Sequence, residues 1–398
     1  MIHTSTLRLM MTGAAFLSLS GSAFALDGAA VIAKLNAAYA YSGSEITYDS
    51  VDADGDTVTL TGAGFKAAPG KTGKIGDVTM EGVEETDDGG YYIETVSFPD
   101  VNVNENQTIV TARDLQLSGL TIPGDPSGST IDSLVLYESA SSGPVTVNVK
   151  GKDVFSVTET SANLTRQDGD AGFDFDANLT GIKANLSEVE DAKARDTIQK
   201  LGLSEISGDI GLKGSWTLAD GKFTLAEYAF DFADIGKLNM SLDISGYTLE
   251  FMKALQEATK TAQEKAGGAN AEQANQALGL AMMGLVQQLT FNGASIRFED
   301  DSITTRLLEY FGKEQGVSGE QLAQSLKGMT PLMLAQLNIP ELQNQIAAAV
   351  NAYLDDPKSL TVSAKPANPV PFPMIMGAAM GAPNTIPQVL GVTVTAND

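Results

Sequence analysis

"LNMSLDIS", residues 238–245, alternates without a break. Leu238, Met240, Leu242 and Ile244 fall on one side of an extended chain; Asn239, Ser241, Asp243 and Ser245 fall on the other. A period of two marks a half-buried β-strand, and one polar side points to an antiparallel sheet with a single face on the core. The same pattern extends outward from this stretch. "GFDFDANLTG" (172–181) sets Phe173, Phe175, Ala177 and Leu179 on one face, and "PVTVNVKG" (144–151) does so with Val145, Val147 and Val149. Alternation dominates from residue 44 to residue 245.

Acidic, Gly-containing turns punctuate these strands: "DADGD" (52–56), "ETDDGG" (85–90), "RQDGD" (166–170), "LADGK" (218–222) and "FEDDS" (298–302). The first carries Asp52, Asp54 and Asp56, which raises the question of a calcium loop. A calcium loop of the EF-hand kind places Gly sixth and Glu twelfth, between helices. Here Gly55 comes fourth, Ala63 stands twelfth, and strands flank the turn. The spacing therefore predicts a hairpin tip, with Gly supplying the positive φ and Asp capping the turn.

A second pattern runs strand, turn, helix. In "FDANLTGIKANLSEVEDAKARDTIQKLG" (175–202) Ser187 and Glu190 have capping-box spacing. After "LNMSLDIS" come Leu249, Met252, Leu255 and Ala262 near helical spacing. "LTFNGASIRFEDDSITTRLLEYFGKEQG" (289–316) predicts a strand with a bulge at Asn292-Gly293 and apolar Ile296 and Phe298. Its helix sets Ile303, Leu307, Tyr310 and Phe311 on one side. "SLTVSAKPANPVPFPMIMGAAMG" (359–381) reads as a degenerate fourth unit. Further helices follow from Ser318 and Gln321, another capping-box pair, and from Pro340 to the residues before Pro357, with Leu342, Ile346, Val350 and Leu354 as the apolar face. "AGGANAEQANQ" (266–276) links two helices, and "GVTVTAND" (391–398) closes the chain as a strand.

The amino terminus reads as a cleavable signal peptide over residues 1–25. Arg8 is the positive n-region, "LMMTGAAFLSLSG" (9–21) the apolar run, and Ala23 and Ala25 the small residues of an A-x-A cleavage site. The run is too short for a span of roughly 20 apolar residues, and no Cys stands nearby for lipid attachment. "PFPMIMGAAMGAPNTIPQVLG" (371–391) is interrupted by four prolines, and "LGLAMMGLVQQLTF" (278–291) is short and broken by Gln287 and Gln288, so no transmembrane segment is expected after signal removal. The expected location is the periplasm. The remaining chain divides into a β-rich region (26–245), a mainly helical region (246–355), and a strand-and-loop segment (356–398) that completes the same fold.

Composition narrows the chemistry. The chain has no Cys, and its single His is His3, inside the signal segment. Ser-His-Asp and Cys-His catalysis, thiolate metal sites and His-based zinc sites are thereby excluded from residues 26–398. With 50 acids against 25 bases and a net charge of −25, the surface repels nucleic acid, whose binding needs Lys and Arg. Asp87/Asp88, Glu299/Asp300/Asp301 and Asp355/Asp356 lie in turns or at a helix end, where solvated carboxylates are expected, not two acids facing one cleft. Trp216 reads as a core or sheet-face residue. Met282, Met283, Met374, Met376 and Met380 form two Met-rich patches of the adaptable kind. "GKTGKIG" (70–76) lacks P-loop spacing and reads as a loop. No catalytic residue, metal or cofactor is expected.

One strand-to-helix stretch carries a resemblance. Leu289, Ala294, Ile296, Arg297, Phe298 and Asp300, in "LTFNGASIRFEDDSITTRLLEYFGKEQGVSGEQLAQSL", resemble a pattern in AsmA-like and YdgA-like Gram-negative envelope proteins. "ITYDSVDADGDTVTLTGAGF" and "IGDVTMEGVEE" resemble the layered strands of such proteins. The resemblance implies an elongated, curled β-structure with an apolar inner face and a part in envelope lipid homeostasis or transfer.

The expected fold is α+β: a long curved antiparallel sheet with strand-turn-helix units and a mostly helical segment packed on it. Because helices are expected only in one block, apolar strand surface in the amino-terminal half, including Val58, is expected to lack a helical cover. The leading functional expectation is a non-enzymatic periplasmic protein that binds or passes lipid, or another apolar partner, along the face bearing Leu238, Met240, Leu242, Ile244, Ile296 and Phe298. Two alternatives stand beside it: a structural or interaction module with a filled core, and an outer-membrane barrel.

Overall fold

The computed structural model describes residues 26–40, 43–67, 71–128, 130–266, 271–336 and 338–398. Ala23 and Ala25, the residues of the expected cleavage site, lie outside them. Among the described residues twenty strands form one antiparallel sheet. In chain order they are β1 (Glu45–Thr47), β2 (Ser50–Asp54), β3 (Thr57–Ala67), β4 (Lys71–Glu85), β5 (Tyr91–Ser97), β6 (Val101–Glu105), β7 (Thr108–Ala112), β8 (Gln116–Ile122), β9 (Ser139–Ser142), β10 (Val145–Val149), β11 (Lys152–Val157), β12 (Glu159–Arg166), β13 (Gly172–Asn185), β14 (Glu205–Thr217), β15 (Lys222–Phe232), β16 (Gly236–Ser245), β17 (Thr290–Asp300), β18 (Ser359–Ala364), β19 (Val370–Pro371) and β20 (Val392–Ala396). The helices are α1 (Gly28–Tyr39), α2 (Ala192–Lys200), α3 (Leu249–Ala266), α4 (Ala271–Val286), α5 (Ile303–Glu314), α6 (Gly319–Ala335), α7 (Pro340–Asp355), α8 (Phe372–Gly381) and α9 (Ile386–Val389).

The topology is a meander. β5 with β6, β7 with β8, β9 with β10, and β11 with β12 are each one ribbon broken in the middle, and each ribbon pairs with its neighbours in sequence. The breaks align across the sheet at Pro99, Asp114, Gly143-Pro144 and Thr158, and reach β13 as a bulge at Gly181. Gly181 has φ +67 and donates its N–H to the Asp209 carboxylate at 2.7 Å. A side chain there would collide with Thr158. Bulges bend strands and increase twist, so a row of them curves the sheet. The sheet does not close: among the described residues β1 and β2 pair only with β3, and β20 pairs only with β18. A membrane barrel requires closure.

Each free edge has a helix beside part of it. Asn36 on α1 acts as a substitute strand for β1: Ile46 donates to its Oδ1 at 2.7 Å, and its Nδ2 donates to the Ile46 carbonyl at 3.0 Å. At the other edge α7 lies beside β20, tied by Asn397 Nδ2 to the Ala352 and Asp356 carbonyls. Covered edges cannot template pairing with other chains.

The remaining helices sit at the two ends of the strands. We call upper the end that holds the turns at Gly55, Gly89 and Gly221. α3 with α4, and α8 with α9, are inserted there; α2 and α5 start from the lower end, next to β13 and β17.

Several local expectations need correction. The helix after β13 starts at Ala192, with Asp191 as its N-cap; Ser187 instead bonds to Asn185. The carboxylate of Asp191 lies one residue before the helix, where it reaches the Ala194 N–H at 2.6 Å. "GKTGKIG" is not wholly a loop, since β4 begins at Lys71 and pairs with β3. Phe311 is 48% exposed and does not share the covered side of α5 with Tyr310. The larger correction is α1. Asp27 caps it, accepting from Ala29 N and Ala30 N, and Val31, Ile32 and Leu35 pack onto Val58, Leu60, Val78, Met80, Ile93 and Ile122. The amino-terminal half therefore has a helical cover and a filled core, and Val58 is 0% exposed.

Candidate functional site: an apolar stripe across the sheet

Register places one uninterrupted apolar row across the whole meander. It starts Val58–Met80–Val96–Leu117, continues through Ala140, Ala162 and Ala177, and passes Leu212, Tyr228 and Met240 to Ile296, Val362 and Val394. At about 4.8 Å per strand this is a path of roughly 60 Å. The row one residue away is its polar counterpart: Thr59, Thr79, Ser97, Gln116, Ser141, Ser161 and Asn178, then Gly211 and Ala229, then Asn239, Arg297, Thr361 and Thr395. Alternation this regular fixes which face every strand turns toward the apolar side, because a slip of one residue would invert a whole strand.

Cover changes along the stripe. Val58, Met80 and Val96 are buried beneath α1. Residues between Ile131 and Met252 hold a second closed cluster at the upper end. Phe173 and Trp216 stack at 6.2 Å between centroids, Trp216 Nε1 donates to the Tyr247 carbonyl at 2.7 Å, and Leu249 and Ile131 pack against them. Trp216 is thus a core residue. Burial pushes the Tyr247 hydroxyl above its ordinary range.

The six face residues read from the sequence do come together. Leu238 faces Phe298, Met240 faces Ile296, and Leu242 faces Ala294; the bulge falls at Asn292, so that Ile244 faces Phe291. Asn292 fills the irregularity by donating to Asp243 and Ser245. Leu238, Met240, Leu242, Ile244 and Phe298 are half-buried, whereas Ile296 is 52% and Val362 41% exposed. Single apolar residues at a surface mean little. Two adjacent members of an apolar row in the interior of a sheet mean that no layer lies over them. The open part of the face is therefore in the carboxyl-terminal half, the reverse of the sequence expectation.

The opposite face is held by Arg297. Its Nε donates to Glu299, its Nη1 to Thr361 and Asp398, and its Nη2 to the Asp398 carbonyl, all within 2.9 Å. The hydroxyl of Thr395 and the Arg297 guanidinium hold the Asp398 carboxyl down to about 2. This clamp ties β17, β18 and the residues after β20 together on the polar side. The tip at Asp52, Asp54 and Asp56 is a hairpin: Asp54 pairs with Thr57 around Gly55, whose φ is +64. Among the described residues no group of His, Cys, Asp or Glu is arranged to hold a metal, and no helix is long and apolar enough to cross a membrane.

A family model described as "Uncharacterized protein" matches residues 229–397. That span starts within β15 and includes the open part of the stripe and all the helices from α3 onward. No curated protein matches the chain.

Proposed function

We propose that the protein is a non-enzymatic lipid-binding protein of the cell envelope, exported to the periplasm, which holds an acyl chain along the open carboxyl-terminal part of the apolar stripe. The observation that carries this reading is the continuous apolar row whose cover stops before Ile296 and Val362. Exposed apolar area of this kind costs about 25 cal/mol per Å² in water, and an acyl chain is the occupant that matches a narrow path lacking charge. The polar row on the other face leaves only one side for such a ligand. The resemblance to AsmA-like and YdgA-like envelope proteins is in keeping with this reading, and with a sheet that curves along its length. The filled amino-terminal half, by contrast, fits the structural-module alternative, so lipid is assigned to residues beyond β13 alone.

The test is purification of the exported protein without detergent, followed by lipid extraction and titration with an apolar fluorescent probe. Co-purified lipid and saturable binding are expected, and Ile296→Asp and Val362→Asp should each weaken binding while leaving the melting temperature nearly unchanged. An intact mass starting at Leu26 is the expected sign of export. Absence of both lipid and probe binding, or binding indifferent to these substitutions, would leave the filled-core module as the better reading.

A further inference from the structure

Charge is distributed unevenly in this acidic chain. No Asp, Glu, Lys or Arg occurs between Glu272 and Arg297, between Lys327 and Glu341, or between Lys365 and Asp398. The fold brings these three stretches to one corner. The first passes through Leu289, whose carbonyl accepts from Phe372 N at the start of α8, beside the Thr290–Pro371 pair. The second holds the end of α6 and the start of α7, where Gln343 bonds to the Pro331 carbonyl. A groove of about 400 Å³ lies between the start of α7, with Ile339 and Leu342, and α9, with Thr385, Pro387 and Gln388. α4 ends and α8 begins at the carboxyl-terminal corner of the upper end, and α6 is linked to it through the start of α7 and α9.

That corner presents apolar side chains to solvent on all three helices: Leu280 and Met283 on α4, Leu332 and Met333 on α6, Met374 and Met380 on α8. Leu332 is 70% and Met380 90% exposed. The lower end is different in kind, with Lys200, Arg306, Glu309, Lys313 and Glu314 around one cleft.

We propose that this corner docks on the surface of a lipid bilayer, its Met and Leu side chains entering the interface. A protein partner is the weaker match, because protein interfaces gather one packed apolar centre inside a polar rim, whereas here the exposed apolar positions are spread over three helices. Flexible Met side chains suit an occupant without fixed shape. The electrostatics give the docking a sign. Acidic turns at Asp56, Asp88, Asp168 and Asp220 lie along the rest of the same end, so a zwitterionic surface is favoured over an anionic one, and salt lifts the difference by screening. Docking here goes beyond the lipid-holding reading, since it needs no bound acyl chain.

The chain contains no Cys, so Met380→Cys gives a single labelling site, with Asp52→Cys as the control on a distant tip. Each is coupled to a polarity-sensitive dye and mixed with phosphatidylcholine vesicles, and the unlabelled protein is floated with the same vesicles. A blue shift at position 380 alone is expected, together with flotation that weakens when phosphatidylglycerol is added at low salt. Combining Leu280→Gln, Leu332→Gln and Met380→Gln, all on exposed positions, should leave melting unchanged and weaken flotation by roughly tenfold for each inserted side chain lost. No shift, equal shifts at both positions, flotation unaffected by the triple variant, or a dye response tracking a monomer–dimer equilibrium without vesicles would overturn the proposal. The variants leave Ile296 and Val362 intact, so a docking failure with normal probe binding separates this inference from the proposed function.

Discussion

Val58 and Ile296 belong to the same register row yet meet opposite surroundings. Val58 lies under Val31 and Ile32 with no exposure, so Val58→Asp places an unpaired carboxylate in an apolar core and is expected to cost roughly 3–5 kcal/mol. Ile296→Asp puts the same charge on an open face and should cost under about 1 kcal/mol. Urea denaturation of the two variants checks the contrast; equal losses would mean that the carboxyl-terminal face is as closed as the amino-terminal one. Asp88 shows how a residue expected to be a solvated turn acid acquires structure. Its carboxylate accepts from the Thr86 hydroxyl at 2.5 Å, Gly124 N at 3.1 Å and Gly90 N at 3.2 Å, and these bonds hold its carboxyl below the ordinary value. Its contribution is therefore whole above pH about 4 and is lost as pH falls through the depressed folded value. Asp88→Ala should cost about 1 kcal/mol near neutral pH, most of the charge being screened by solvent. Stability measured from pH 6 to 2 should fall less steeply in the variant; an unchanged slope would show that the turn does not depend on this carboxylate.

Strands were readable one at a time because period-two alternation is a local property. "LNMSLDIS" (238–245), "GFDFDANLTG" (172–181) and the Asp-Gly turns at 54–56 and 220–221 all gave elements of the right kind, as did the Ser318–Gln321 capping box, which forms as expected. The open face was readable only in part. Its residues were identified, but cover depends on which element folds back onto which strands, and that is tertiary information. α1 is the case in point: Asp27, Val31, Ile32 and Leu35 are a cap followed by helical spacing, obscured in the sequence by the apolar run that precedes them. Its edge contact is testable. Asn36→Ala removes both bonds to Ile46 and leaves β1 with an open edge, at an expected cost of about 1–2 kcal/mol. Hydrogen exchange should show faster exchange at Ile46 in the variant, with β15 to β17 unaffected; unchanged protection at Ile46 would place the edge cover elsewhere.

A meander in which each ribbon touches only its neighbours is nearly one-dimensional, and its stability approaches a sum of local terms. Two features divide this one. The core clusters are separate, one around α1 and Ile93, the other around Phe173 and Trp216. Between them the stripe narrows to Ala140, Ala162 and Ala177, whose small side chains bury little area and couple the two sides weakly. The amino-terminal half is consequently expected to melt as a unit distinct from the rest. The only tryptophan, Trp216, lies in the second cluster and reports on that side alone. Ile32→Ala, which opens a cavity where the side chain is 1% exposed, should cost roughly 2–5 kcal/mol in the first cluster. Circular dichroism should then show an early transition at lower urea, while the Trp216 fluorescence transition keeps its midpoint. Coincident shifts of both signals would mean that the bent ribbons between the clusters transmit cooperativity in full, and that the closed and open halves of the stripe are a single folding unit.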